Sequence, residues 1–299
     1  MKAASSGHPP TPPIVKAVIP VAGMATRLLP LTKVVPKALL PLGRKPVIQQ
    51  IVEELAAAGI EQVGLVVGPR TAAVAAHFAP DPALAAHLRR RGLDPAVLET
   101  DAGLTIVPIR QPEPLGLGHA IAQARAFVGD APFVVALGDA VIREPRPGAL
   151  VRRLIACYRA TRPAFVIAVQ QVPDEQVRRS GIVEADAEGW VRRILEKPSP
   201  EATPVRRASA GRYVFGPVLF RALDAVPPDA QGEIGLTEAM NRLLERGERG
   251  LAIPLGPDQR RDDVGELEAY LAAFAAWAAD RGLRTVDCGL QTVDCQDEV

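Results

Sequence analysis

The stretch VIPVAGMATRLLPLTKVVPKALLPLGRKP, residues 18–46, decides how the rest of the chain is read. An apolar run, "VKAVIPVA" over residues 15–22, ends in a turn of small residues at Gly23, as a buried strand of a nucleotide-binding domain does. The turn is not G-x-G-x-x-G, because Met24 and Ala25 follow Gly23, and no Gly-Lys-Ser/Thr closes it as in a P-loop. It carries instead Arg27, Lys33, Lys37, Arg44 and Lys45, with prolines spaced among them. Small side chains at Ala22, Gly23 and Ala25 let backbone N–H groups come close to an anion. Arg27 can fork onto phosphate oxygens, and a lysine further on supplies a point charge. The pattern suits a nucleoside triphosphate whose pyrophosphate is to leave.

The alternative for Arg27 and Lys37 is a pair of solvated loop cations, and composition weighs against it. Six of the 35 Lys+Arg residues are lysine, and four of those six (Lys33, Lys37, Lys45 and Lys197) fall in "TKVVPK", "RKP" and "EKP". Such clustering in an arginine-rich chain suggests that a compact ammonium is needed there.

Outward from this stretch, strands and helices alternate. "PVIQQIVEELAAAGI" places Val47, Ile48, Ile51, Val52 and Leu55 at helical spacing between Pro46 and Gly59. "QVGLVVG", "LTIVPI", "PFVVALGD" and "AFVIAVQQV" read as strands, with helical segments between them. After residue 180 the pattern changes: "SGIVEADAEGWVRRILEKP" predicts two strands joined at Glu188-Gly189, and "AGRYVFGP" a third. Two further helices, "GLTEAMNRLLERG" and "GELEAYLAAFAAWAADRG", flank the strand "GLAIPLG". The fold class expected is α/β: a Rossmann-like mixed, mostly parallel sheet flanked by helices, with an added antiparallel portion in the second half. Residues 1–14 are expected to be a disordered lead-in, 15–282 a single domain and 283–299 a polar tail.

A net charge of +1 argues against a nucleic-acid backbone binder, and 4% aromatic residues against a stacking platform for single strands. No apolar run reaches the roughly 20 residues that span a bilayer. The three cysteines, Cys157, Cys288 and Cys295, do not form a disulfide pattern, so a cytoplasmic setting is expected. The "TVDCGLQTVDC" repeat in the tail lacks a usual zinc spacing and reads as unstructured.

In open α/β sheets, ligands bind beyond the carboxyl ends of the strands. Residues 23–27, the "RQPEPLGLGH" loop and Asp139 in "LGDA" all fall at such ends. Asp139 is thus placed to hold Mg²⁺ near a triphosphate, and Asp262 and Asp263 in "RRDDVG" are candidates for a second carboxylate.

At this point the chain resembles the bacterial UTP–glucose-1-phosphate uridylyltransferases of the sugar-phosphate nucleotidyltransferase superfamily. The resemblance begins with "VIPVAGMATRLLPLTKVVPKALLP" and continues in order through "RQPEPLGLGHA", "LGDAVI", "SGIVE", "LEKP", "AGRYVFGP", "GEIGLTEA" and "DVG". It implies transfer of a uridylyl group from UTP to glucose 1-phosphate by a homo-oligomer, dimer or tetramer, with no nucleic-acid or membrane partner. It also implies roles by position. Ala22, Gly23, Gln111 and Gly116 surround the uracil, and Ala25 and Thr26 belong to the nucleotide loop. Arg27 and Lys37 hold the triphosphate, and Asp139 and Asp263 hold Mg²⁺. Gly181, Glu196 and Lys197 hold the sugar phosphate, with Gly211 nearby.

The chain departs from the family at Ala25, where a second glycine is usual, and at Ala38, where glutamate usually follows the lysine. It departs again at Arg44, where aspartate usually precedes "KP", and at Gly235, where glutamine is common. These changes bear on the sugar and the rate more than on the reaction type. Two other readings stay open: a related nucleotidyltransferase using dTTP or another sugar 1-phosphate, and a non-catalytic regulatory paralogue that binds nucleotide sugars.

Overall fold

A computed structural model describes residues 12–280; the tail segment 283–299, its two cysteines and most of the lead-in lie outside the described residues. Strand β1 (Lys16–Pro20) is followed by three single 3-10 turns between Thr26 and Leu39 and a small hairpin of β2 (Pro41–Leu42) and β3 (Lys45–Pro46). Next come α1 (Val47–Ala57), β4 (Gln62–Val67), α2 (Ala72–Ala76), α3 (Pro82–Arg90), β5 (Thr105–Arg110), α4 (Gly116–Ala122), α5 (Arg125–Val128) and β6 (Phe133–Ala136). The second half holds β7 (Ala140–Arg143), α6 (Ala149–Thr161), β8 (Phe165–Gln171), α7 (Asp174–Val177), β9 (Gly181–Ala185), β10 (Val191–Glu196) and β11 (Arg207–Phe215). It ends with α8 (Val218–Asp224), α9 (Leu236–Glu245), β12 (Gly250–Pro254), β13 (Arg260–Asp263) and α10 (Leu267–Asp280).

Nine strands form one mixed sheet. Strands β5, β4, β1 and β6 run parallel, side by side in that order. Strand β11 then pairs antiparallel with β6, β8 and β9, while β10 pairs with β9 and β12 with β8. The α/β class expected from the sequence, with its antiparallel portion in the second half, is therefore observed. Alternation along each strand divides the core between the two faces. Ala17 and Ile19 pack with α1, α6 and α10, whereas Val18, Phe133 and Val135 pack with α4, α8 and α9. Ile14 is 2% exposed and packs in the first of these clusters, so residues ahead of β1 already belong to the packed structure.

Two features were not legible as periodicity. Strands β7 and β13, four residues each, form a separate antiparallel pair in which Asp263 lies opposite Ala140. Strand β11 is nine residues long and changes register between Ser209 and Tyr213, around Gly211 at φ +75°. A side chain there would meet Ala140 Cβ at 2.9 Å, so only glycine fits the bend. Beside it, fully buried Arg212 makes a two-pronged ion pair with Glu54 of α1, Nε–Oε1 2.9 Å and Nη2–Oε2 2.7 Å, and donates to the Gly211 carbonyl at 3.0 Å.

Candidate active site

A cleft of about 780 Å³ opens where the loop after β1, the loop between β6 and β7, the β9–β10 pair and β13 meet. Ala25, Thr26, Arg27, Lys37, Asp139, Gly181, Glu196, Lys197 and Asp263 all line it, although they come from distant parts of the chain. Ala22, Gly23, Gln111, Gly116 and Gly211 are not among its lining residues.

The nucleotide loop is held by short-range bonds. Val21 N–H donates to Val66 O at 2.9 Å, carrying the β1–β4 pairing past the end of the strand. Ala25 has φ +51°, the left-handed region in which a side chain is strained. That conformation is why glycine is usual at this position. The Thr32 hydroxyl secures the turn by donating to Ala25 O at 2.8 Å. Arg27, 57% exposed, reaches Glu266 at 3.5 Å, and Lys37 lies 2.6 Å from Asp139 Oδ2.

The other cations of the opening stretch do not line the cleft. Lys45 Nζ bonds both oxygens of Glu53 at 2.7 Å, fastening the β2–β3 hairpin to α1, and Lys33 and Arg44 are exposed. The clustered lysines thus do different work: Lys45 fastens the hairpin to α1, and Lys37 and Lys197 line the cleft. Ala38 is buried in the core, which accounts for an apolar residue there.

Ala22, Gly23, Gln111 and Gly116 gather at the carboxyl ends of β1, β4 and β5. Gln111 N–H donates to Val67 O at 2.8 Å, and Ala22 packs on Gly68. The Gln111 side chain is 3% exposed, and its carboxamide donates to Gly116 O at 3.3 Å and to His119 Nδ1 at 2.9 Å. Gly116 and Gly118 have a packing role as well: a Cβ on either would meet Ile234 O at 2.8 Å. The "GLG" run therefore seats the segment around Ile234 that leads into α9.

On the opposite wall, Gly181 of β9 pairs with Glu196 of β10. Glu196 accepts from Thr237 Oγ1 at 2.7 Å and pairs with Lys197 at 3.2 Å. Lys197 N–H donates to Ser180 O at 3.1 Å, and the residue has φ +44°, in the left-handed region that few non-glycine residues occupy. Motif reading assigned no role to several residues on the cleft wall, among them Thr237, Tyr213, Arg179, Arg261 and Glu266. Thr237 stands inside "GEIGLTEA" and Arg179 just ahead of "SGIVE", so position beside a motif was the one available signal. Burial pushes the Tyr213 phenol up to about 12, and it stays neutral, sharing a 2.7 Å hydrogen bond with Ser209.

Asp139 and Asp263 approach through β7 and β13: Val264 N–H donates to Asp139 O at 3.0 Å, directly after the Asp263–Ala140 pair. Burial pushes the Asp139 carboxyl up, but the Lys37 charge and hydrogen bond, aided by Arg261, outweigh it and hold the group below the usual carboxylate range. Asp263 accepts from Arg261 at 2.5 Å and from Gly265 N–H at 2.7 Å. Asp262 is only 8% exposed and is occupied by Trp277 Nε1 at 2.7 Å and by Arg143 at 3.3 Å, so it serves the packing of α10.

Residues 16–280 match the model of the nucleotidyl transferase family. A Bacillus subtilis (strain 168) protein named UTP–glucose-1-phosphate uridylyltransferase is 39% identical over 277 residues, covering 90% of this chain and 93% of that protein. The crystal structure of a UDP-glucose pyrophosphorylase complexed with UDP-glucose superposes with a TM-score of 0.76 at 30% identity, covering 90% of this chain and 100% of the other. A UTP-bound enzyme of Acinetobacter baumannii superposes with a TM-score of 0.79 at 30% identity, covering 89% and 94%. By the span of these matches and by the order of its motifs around one cleft, the chain belongs to the nucleotidyl transferase family, within its UTP–glucose-1-phosphate uridylyltransferase branch.

Proposed function

We propose that this protein transfers a uridylyl group from UTP to glucose 1-phosphate, forming UDP-glucose and releasing pyrophosphate. The observation that carries this reading is the convergence of Arg27, Lys37, Asp139 and Asp263 with Gly181, Glu196 and Lys197 on one cleft. One wall has the cations for a triphosphate, and the other has a lysine and carboxylate for a sugar phosphate. The UTP-bound and UDP-glucose-bound relatives support the substrate pair.

A phosphate oxygen of glucose 1-phosphate attacks the α-phosphorus of UTP; a new P–O bond forms as the bond to the β-phosphate breaks. The second pKa of a phosphate monoester is about 6, so the nucleophile is already deprotonated near neutrality and no general base is needed. Lys197 offsets repulsion between the incoming dianion and the triphosphate. Arg27 and Lys37 hold the phosphates as negative charge moves onto pyrophosphate. Glu196, steadied by Thr237, is free to accept from sugar hydroxyls. Ala22, Gly23, Ala25, Thr26, Gln111 and Gly116 frame the nucleotide, and Gly211 lies nearby, bending β11 against Ala140 behind the cleft wall.

Asp139 and Asp263 supply hard carboxylate oxygens on the cleft, the donor chemistry a divalent cation such as Mg²⁺ takes; Lys37 and Arg261 now hold these oxygens and would give way to it. Among the described residues no group of three or more His, Cys, Asp or Glu forms a metal cage, so phosphate oxygens would complete the shell. Bound there, Mg²⁺ would neutralise charge on the phosphate oxygens.

No helix among the described residues is long and apolar enough to cross a membrane. Exposed Leu267 and Leu271 on α10 offer apolar surface for a dimer or tetramer. Pyrophosphate release, measured across UTP and dTTP and across glucose and galactose 1-phosphates, tests the reading. Fastest turnover with UTP and glucose 1-phosphate is expected, and no release with any pair would overturn it.

A further inference from the structure

Two arginines precede Gly181, and the fold sends them in different directions. Arg178 faces outward and pairs with Glu201 at 3.6 Å. Arg179 turns into the cleft and lines it beside Ser180. Because Gly181 and Glu196 are partners at the open end of the β9–β10 ladder, Arg179, two residues before Gly181, and Lys197, one after Glu196, emerge from the same end of that pair. Lys197 N–H bonds Ser180 O, which ties the two cation-bearing segments together.

The partner of Arg179 is not on its own wall. Its guanidinium bonds Glu266, the residue just before α10, and the same carboxylate accepts Arg27 of the nucleotide loop at 3.5 Å. One anionic side chain thus sits between a cation from each side of the cleft. A guanidinium that bonds one carboxylate can exchange it for a phosphate, whose oxygens match the fork and carry more charge. The ion pair to be broken is weak, because both arginines are more than half exposed.

We propose that Arg179 binds the phosphate of the sugar 1-phosphate alongside Lys197, and that Glu266 occupies Arg179 and Arg27 until substrate arrives. This rests on the uridylyltransferase reading. The arrangement gives Glu266 a defined place in the cycle: it keeps two phosphate-binding cations from repelling each other in the open cleft, and it competes with substrate for both.

The test uses the full chain with Arg179→Ala, Arg179→Lys and Glu266→Gln, and Arg178→Ala as a control. Steady-state turnover gives the KM for glucose 1-phosphate at saturating UTP, and calorimetry gives the Kd for UTP alone. Arg179→Ala should raise the KM about tenfold or more, the loss expected of a charge-assisted contact, while the UTP Kd changes less than about twofold. Arg179→Lys should fall between parent and alanine, and Arg178→Ala should match the parent. Glu266→Gln should tighten UTP by about two- to threefold through release of Arg27 and lower the glucose 1-phosphate KM by a similar factor through release of Arg179; the KM effect should vanish when Arg179→Ala is also present. A KM for Arg179→Ala within about twofold of the parent, in an active enzyme, overturns this assignment and leaves the reaction standing. A parent chain that neither turns over nor binds UTP or UDP-glucose overturns the functional reading itself.

Discussion

Of the two sides proposed for the cleft, the nucleotide side hangs Arg27 and Asp139 from loops that follow parallel strands, β1 and β6, and Lys37 follows within the same β1 loop. On the sugar side, Gly181 and Glu196 face each other as partners in an antiparallel pair, with Lys197 one residue beyond. Asp263 reaches the cleft through a third device, the short β7–β13 pair. A loop after a parallel strand is committed to the ligand-binding edge by the direction of the chain alone. A residue at an antiparallel strand end is placed only once its partner strand and register are known. The nucleotide side is accordingly local in sequence, and the sugar side is built from contacts between remote segments.

The comparison is most sharply tested at Asp139, where the two constructions meet. Asp139→Asn should lower kcat by roughly 10²- to 10³-fold, the loss seen when one charged stabilising group is removed from a phosphate or oxyanion site. Asp263→Asn should do nearly the same, whereas Asp262→Asn should lower the melting temperature through Trp277 with less effect on turnover. Asp139 also carries a pH signature. Burial raises its pKa and Lys37 lowers it more, so the folded value lies below the unfolded one. Its contribution to stability is then present above the ordinary carboxylate range and lost as pH falls through the depressed value. The stability difference between parent and Asp139→Asn, followed by denaturant titration, should shrink toward acid pH; a constant difference would show that the Lys37 pair is energetically idle.

Arg212→Met tests the joint between the two regions, because Glu54 belongs to α1 and Arg212 to β11. Leaving Glu54 buried without its partner should destabilise the fold by about 3–5 kcal/mol, and adding Glu54→Met should recover much of it. A melting temperature that stays low in the double variant would mean the pair does more than cancel its own charges.

Lys197→Ala addresses the sugar side alone. A loss of about 2–4 kcal/mol of transition-state stabilisation is expected in kcat/KM, with UTP affinity spared. Near-normal kcat with a large loss of UTP affinity would move Lys197 to the nucleotide side.

The smallest effect is expected at Ala25. Glycine would relieve a left-handed alanine worth about 1–2 kcal/mol but lose a similar amount in unfolded-chain entropy, so Ala25→Gly should shift stability by less than about 1 kcal/mol. Turnover should be unchanged or slightly higher. A large loss of either would show that the Ala25 methyl makes a contact the turn depends on.

Legibility followed the same division. The helical spacing of Val47, Ile48, Ile51, Val52 and Leu55 and the apolar runs of β1, β4, β6 and β8 were open to periodicity, because each pattern is complete within a dozen residues. Strands β7 and β13 were not. "AVIR" is too short and "RRDD" too polar to read as a strand, and their pairing joins residues more than a hundred positions apart. Helix α8 was likewise hidden behind Pro217. The five cations of residues 18–46 looked alike in sequence, yet Arg27 and Lys37 line the cleft while Lys45 serves the β2–β3 hairpin. Which task each took depended on where its carboxylate partner lies: Glu266 and Asp139 on the cleft wall, Glu53 on α1.

The chain's own order of residues determined the α/β class, the edge at which ligand binds and the family, because strand direction, small-residue turns and motif order are properties of the covalent chain. Only the tertiary structure decided that Asp262 is taken up by Trp277 and Arg143 while Asp263 bonds Arg261, that Gln111 is buried against His119, and that Glu266 stands between Arg27 and Arg179. Each of those depends on which remote strand or helix end a side chain meets. Adjacent residues in a strand point to opposite faces, so what lies across the pairing, and not the identity of the residue, sets its partner.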